Sequence, residues 1–424
     1  APFAAQGDAQ GALLNIPSQG RTLPGPAVRG EARRRGAARR FLGILRAMTT
    51  HRCRAGALHR LNELGLLARV DRVASVSGGS ITAGLLGYKW RTLRRDPEGR
   101  FEHFFGEIVH PLYAFSRRSI DVRDAIAGLL PFTSAAKQVA ASYDGALFLG
   151  ATLAALPDSH RFVFCATNLQ TGALWRFSKR YSGDYVLGFV TPKRQAIRLA
   201  EAVAASSAFP PILSPLRLEL DPGAFEDWPE RGVHDHGRAE VAALRAAVLL
   251  TDGGVYDNHG LEPIVKRYTT LLVSDGGAPF ARKPRVPGDW VRHLRRILDL
   301  TDNQVRALRR RDLIARFAAG RQAFEAGRFA QDPLLPYERL GAYWGIDTRP
   351  PPASGPGDLP CDPVRVKALA AIPTRLADLG ETASKSLVNW GYLICDRCVR
   401  KHLKGQELAE DEVPRWPFED TPLG

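Results

Sequence analysis

Two short strings in the chain set a reactive side chain among glycines. The first is Ser75-Val76-Ser77-Gly78-Gly79. A serine in a sharp small-residue turn between a strand and a helix has the geometry of a nucleophile elbow, and Ser77 stands where G-x-S-x-G puts its nucleophile. The residues two before and two after it must be small, because strand and helix nearly touch there. Gly79 meets that demand, and Ser75 is small enough to replace the first glycine. The turn also aims helix N-terminal N–H groups at the oxygen that gains charge during acyl transfer. The N–H of Gly78 is the candidate oxyanion donor. A Gly/Ser turn can also cradle phosphate, but this one lacks the lysine of a P-loop and the G-x-G-x-x-G spacing, which disfavours nucleotide binding.

A serine hydroxyl is a weak nucleophile until a base takes its proton. Thr251-Asp252-Gly253-Gly254 offers one: an aspartate at the carboxyl end of an apolar run, with two glycines to turn the chain away. The same string also fits an ordinary Asx turn. His259 follows seven residues later, and the order Ser77, Asp252, His259 is that of an α/β-hydrolase triad, so a triad stays open beside a dyad. Cys395 and Cys398 with His402 resemble half of a zinc site. With no second ligand pair nearby, a helix burying its cysteines is the favoured reading, and no metal or other cofactor is expected. His234 and His236, two apart in a polar loop, do not share a helix face.

These strings need strands and helices to hold them. VDRVASV before the elbow is short and β-branched, as a buried strand should be, and ITAGLLGYKW after it suits a helix. Helical spacing marks AGALHRLNELGLL (55–67), AIRLAEAVAASSAFPPIL (196–213) with its helix ended by Pro210-Pro211, an Arg-rich stretch at 290–330 and a region at 374–403. RFVFCATNLQTGALWRFS (161–178) reads as two strands around a turn. VLLTDGG and TTLLVSDGG each read as a strand ending in glycines. The aromatic run FEHFFGEIVHPLYAF suits core packing better than a lid. Strands alternating with helices indicate a mostly parallel sheet.

At 424 residues and 45% hydrophobic, the chain is ample for a large core, and five scattered cysteines argue for reduced thiols. No apolar stretch reaches membrane-span length and no secretory h-region is visible, so a cytoplasmic protein is expected. The net charge is +15, and residues 1–54 carry +8 of it through ten arginines against Asp8 and Glu31. Such a tail attracts nucleic acid or anionic lipid electrostatically, but solvated disorder is the simpler reading and no specific nucleic-acid partner is expected. The Arg-rich helix suits anionic phospholipid heads as well as it suits a solvated face.

Taken in order, VASVSGGSITAG, AASSAFPPILSP and LTDGGVYDNHGLEP resemble the patatin-like phospholipase family, and LNELGLLARVDRV, ATNLQTGALWRFS and RYTTLLVSDGGAPF look like its bacterial members. The resemblance covers about residues 55–280 and continues loosely through DLTDNQVRALRRRDLI and LVNWGYLICD. It implies an α/β fold of three layers, α/β/α, with a mostly parallel central sheet. It also implies a serine–aspartate dyad on Ser77 and Asp252, acting on acyl esters of lipids without histidine or cofactor. Ser75 departs from the family's usual glycine. The family's Gly-rich oxyanion loop, of G-G-G-x-R/K-G type, has no counterpart in FLGILRAMTTHRCRAG, and no convincing strand precedes it. An altered or misread N-terminus is the expectation there.

The resulting expectations are an atypical or disordered segment at 1–54, a catalytic core at 55–280, and a mainly helical extension at 281–424. The activity is a phospholipase A-like acyl hydrolase contacting phospholipid and, peripherally, a membrane. A non-catalytic relative without a complete oxyanion hole, and a Ser-Asp-His esterase or thioesterase using His259, remain as alternatives. Oligomeric state is not legible.

Overall fold

The structure, a computed structural model, describes residues 41–46, 51–118, 132–211, 213–228, 238–277, 279–286, 288–328, 335, 337–353, 357–372, 378–403 and 412–424. The expectations for residues 1–40 and for His234 and His236 lie outside the described residues.

Among the described residues, eleven strands form one sheet: β1 (Phe41–Arg46), β2 (Val70–Val76), β3 (Arg161–Asn168), β4 (Leu174–Ser178), β5 (Ser182–Asp184), β6 (Gly188–Val190), β7 (Leu216–Glu219), β8 (Phe225–Glu226), β9 (Ala247–Asp252), β10 (Thr270–Asp275) and β11 (Leu340–Gly345). Their order is β11-β10-β1-β2-β3-β4-β5-β6-β8, with β9 joining β3 and β7 joining β9. The helices are α1 (His51–Glu63), α2 (Gly79–Lys89), α3 (His110–Ser116), α4 (Phe132–Tyr143), α5 (Leu199–Ser206), α6 (Arg238–Ala246), α7 (Trp290–Glu325), α8 (Pro363–Ala370) and α9 (Glu381–His402).

The α/β expectation holds, but "mostly parallel" does not. Only β11, β10, β1, β2 and β3 run parallel, through four pairings, and the other six pairings are antiparallel. The parallel strands follow the physics of burial. VDRVASV is buried at all but one position, as a strand covered on both faces must be. The antiparallel part begins at the β3–β4 hairpin, where Asn168 Oδ1 accepts from Gln170 N and closes the turn.

A strand does precede the first helix. FLGILR is β1, set between β10 and β2 in the middle of the parallel strands. Its apolar core of five residues was masked in the sequence by the arginines at both ends. Both β1 and the first turn of α1 fall inside the Arg-rich segment, and Arg52 and Arg54 are buried there. Arg52 donates to the Ser116 carbonyl at 2.5 Å, and burial pulls its pKa down to about 10. The aromatic run around Phe101, Phe104 and Phe115 packs in the core.

Helices α1 and α9 cross backbone to backbone. A Cβ on Gly56 would stand 1.9 Å from the Val388 carbonyl oxygen, and one on Gly391 would stand 1.7 Å from that of Cys53. Neither oxygen can yield without moving a helix. Gly391→Ala is therefore expected to destabilise the fold by about 3 kcal/mol, the upper range for overpacking a core. Denaturant titration checks it; a loss under about 0.5 kcal/mol would mean the helices separate freely.

Candidate active site

Strand β3 is the ruler on which the site is built. On one edge it pairs with β4 along its length. On the other edge β2 runs beside it as far as the Val76–Cys165 pair, and β9 takes over, antiparallel, from the Ala166–Asp252 pair. The carboxyl ends of β2 and β9 therefore meet head to head across two consecutive residues of β3. Ser77 is the first residue beyond one end, and Asp252 is the last residue of the other.

The end of α5 ties both to the same place. Ser77 N donates to the Ser206 carbonyl and Asp252 N to the Ala208 carbonyl, each at 2.9 Å. Two backbone anchors two residues apart thus fix the two strand ends. This explains why AASSAFPP matters, although the sequence assigned it no role. A doubled serine after a helix, just before two prolines, was the available signal.

Ser77 has φ 57, in the left-handed region that a residue with a side chain occupies at a cost of roughly 1–3 kcal/mol. Such strain persists only where surrounding structure enforces it. Here Ser77 O accepts from Ser80 N at 2.8 Å as α2 begins, and Gly78 caps that helix. The N-terminal end of α2 is thus turned toward the serine, and its dipole favours negative charge there. Gly79 is the first residue of α2.

Ser75 is buried on β2 with its Oγ 2.9 Å from Ser80 Oγ. Ser80 Oγ is 2.7 Å from Ser206 Oγ, which donates to the Cys165 carbonyl at 2.7 Å. A hydroxyl in place of the usual glycine is therefore accommodated by a buried chain of partners that ends on β3.

Asp252 opens an Asx turn. Its Oδ1 accepts from Gly254 N at 2.7 Å, and its carbonyl accepts from Thr167 Oγ1 at 2.9 Å. Gly253 passes so close to β3 that a Cβ would lie 2.1 Å from the Cys165 carbonyl oxygen. Gly253→Ala should displace the aspartate turn, with loss of more than about 2 kcal/mol of stability. A variant with unchanged melting would show that β3 does not hold the turn. Tyr143 of α4 lies against the same region. It is buried, its hydroxyl is 3.3 Å from Ser207 Oγ, and burial with the Asp252 charge nearby raises its pKa.

His259 sits elsewhere. It is buried, and its Nε2 is 3.2 Å from Asp275 Oδ2 at the end of β10. The same carboxylate accepts from Arg306 Nε and Tyr343 OH, each at 2.8 Å, while its Oδ1 accepts from Gly277 N at 2.9 Å. Sequence reading missed this second D-G-G cluster because its partners lie on α7 and β11, far along the chain. Cys395 and Cys398 lie on the buried face of α9, and burial raises both thiol pKa values, that of Cys398 to about 12. Among the described residues, no three His, Cys, Asp or Glu side chains gather as a metal would need. No helix among them is long and apolar enough to cross a membrane. Residues 47–50, between β1 and α1, lie outside the described residues, and with them the expected place of an oxyanion loop.

Fold and site together define an α/β protein of mixed sheet, with a serine held in a left-handed elbow and an aspartate at the facing strand end. The model of the family described as patatin-like phospholipase matches residues 53–265, half of the chain, and the chain belongs to that family. Among solved structures, human GIVD cytosolic phospholipase A2 is similar at 14% identity with TM-score 0.47, over 86% of this chain and 59% of that one. The same human enzyme in complex with methyl gamma-linolenyl fluorophosphonate matches at 13% identity and TM-score 0.45, over 86% and 58%. VipD from Legionella pneumophila matches at 13% identity and TM-score 0.34, over 86% and 67%. The chain thus spans less than two thirds of the human enzyme's length. No curated protein matches it.

Proposed function

We propose that the protein is a lipid acyl hydrolase working through Ser77 and Asp252. Asp252 takes the Ser77 Oγ proton as the oxygen attacks the ester carbonyl carbon. The carbonyl π-electrons move onto oxygen, beside the Gly78 N–H and the end of α2. Collapse breaks the bond to the leaving alcohol, which collects the proton from Asp252, and leaves an acyl-serine. Water then attacks the acyl carbon with Asp252 taking its proton, the bond to Ser77 Oγ breaks as that oxygen recovers the proton from Asp252, and the fatty acid departs. No metal or organic cofactor is required by this chemistry.

The observation that carries the reading is the head-to-head meeting of β2 and β9 on consecutive residues of β3. Phe209, next in the chain to the Ala208 carbonyl that holds Asp252 N, and Val255, three residues after Asp252, are apolar and about half exposed, which suits an acyl substrate. The limits of the core, 55–280, and of the extension, 281–424, belong to the same proposal, as does the three-layer arrangement. The deciding experiment is release of labelled fatty acid from phospholipid vesicles, parent beside Ser77→Ala. Serine-dependent release supports the hydrolase; equal background from both supports a non-catalytic relative.

For a histidine-assisted mechanism the test is His259→Leu. Its ring nitrogen is engaged with Asp275, so activity within about threefold of the parent is expected. A loss as deep as that of Ser77→Ala would favour the triad.

A further inference from the structure

We infer that the first three turns of α7 form the surface by which the protein docks on an anionic lipid bilayer, an inference that deepens the lipid-hydrolase reading and rests on it for its purpose. Trp290, Val291, Leu294, Ile297 and Leu298 are all exposed, Trp290 to 78%. At about 100° per residue they share an arc of about 120°, while Arg292, Arg295, Arg296 and Asp299 occupy the opposite arc. Among the described residues, the apolar arc is left exposed along its length. A helix of this composition, apolar on one side and basic on the other, lies in the plane of a membrane interface.

Charge and position choose the occupant. The exposed residues 281–286 leading into the helix add Arg282, Lys283 and Arg285, so residues 279–298 hold six basic side chains against Asp289 alone. Asp289 is itself occupied, capping the helix at Arg292 N and pairing with the Arg292 guanidinium. Arg296 lies over the Phe280 ring at 3.9 Å, which braces the loop against the helix. A second copy of the chain would bring like charge to this patch, whereas anionic headgroups oppose it. A nucleic acid would leave the apolar arc uncovered.

The direction of α7 places the patch at the active-site edge. Arg306 reaches Asp275 and the Gly277 carbonyl, at the carboxyl end of β10. Gly320 packs on the Arg339 backbone, just before β11 begins. The helix therefore runs opposite to the parallel strands, and residues before 306 project beyond their carboxyl edge. Trp290, sixteen residues earlier, stands about 24 Å along the helix from Arg306. That edge is the one from which Ser77 emerges. Asn258 donates to the Asp302 side chain at 3.0 Å and Arg309 to the Tyr256 carbonyl at 3.2 Å, so the helix is fastened to the loop following Asp252.

Flotation of the full chain carrying Ser77→Ala, with phosphatidylcholine vesicles with and without phosphatidylglycerol, separates docking from turnover. Binding to the anionic vesicles, weakened by salt, is expected. Leu294→Glu with Leu298→Glu should weaken it at least about tenfold with unchanged melting, since both sites are solvent-facing. Arg292→Glu with Arg295→Glu should abolish the preference for anionic vesicles. Absence of parent binding, or parent-like binding by the leucine pair, would overturn the inference. Self-association relieved by the leucine pair, without vesicle binding, would assign the face to a second copy. With Ser77 restored, the leucine pair should still cleave a monomeric short-chain ester as the parent does. If the parent itself fails there while vesicle binding stands, the hydrolase reading is what has failed.

Discussion

Ser77→Ala and Asp252→Asn are each expected to reduce release of labelled fatty acid by about 10³-fold or more, and the double variant to be no worse than the weaker single one. Nucleophile and base act as one unit, so removing either leaves nothing for the other to do. The backbone gives an independent check. Ser77 sits at φ 57, a conformation that glycine adopts freely. Ser77→Gly should therefore be as inactive as Ser77→Ala yet more stable than the parent, by about 1 kcal/mol. Alanine keeps the strain and should show no such gain. Activity surviving in Ser77→Ala would remove the serine from the mechanism. Equal stability of the alanine and glycine variants would remove the strain argument.

How far the sequence could be read depended on how local each signal was. VLLTDGG and TTLLVSDGG were legible as strands from their short apolar runs and VDRVASV from its recurring valines, and each contains a strand in the structure. The β3–β4 hairpin announced itself through its turn residues. By contrast β5 and β6 are three residues each and β8 is two, too short to show alternation, so the antiparallel half of the sheet stayed hidden. β11, LGAYWG, contains two glycines and no β-branched residue, yet it completes the parallel edge. β1 was overlooked because Arg39, Arg40 and Arg46 frame its apolar core. At the site, residue types pointed to Ser77 and Asp252, but order along the chain cannot say that two strand ends face each other. That comes from β9 taking the place β2 vacates on β3, a long-range pairing with no local mark. The same limit applied to His259, whose partner proved to be Asp275.

Asp275→Leu or Arg306→Met, made alone, should destabilise the fold by about 3–5 kcal/mol, while the two together should cost clearly less than their sum. The Asp275 side chain is fully buried and that of Arg306 nearly so, and they meet at 2.8 Å. Burial alone would weaken the arginine's hold on its proton, but the carboxylate beside it outweighs that and raises its pKa. Removing one partner strands the other charge in the interior. Removing both leaves apolar groups of similar bulk, and the loss is then one of hydrogen bonds, among them those that His259, Tyr343 and Gly277 N make to Asp275 and that of Arg306 to the Gly277 carbonyl. Urea unfolding of the three variants gives the comparison directly, and additive losses would mean the two charges do not sense each other. The consequence reaches beyond stability. Arg306 is where α7 first grips the sheet, so Arg306→Met should loosen residues 290–305 and raise their amide hydrogen exchange before the rest of the helix. If the exposed turns of α7 are what meets a bilayer, this variant should also lose vesicle binding while its apolar and basic side chains are intact, since a helix must be held at the strand edge to bring that edge to the lipid.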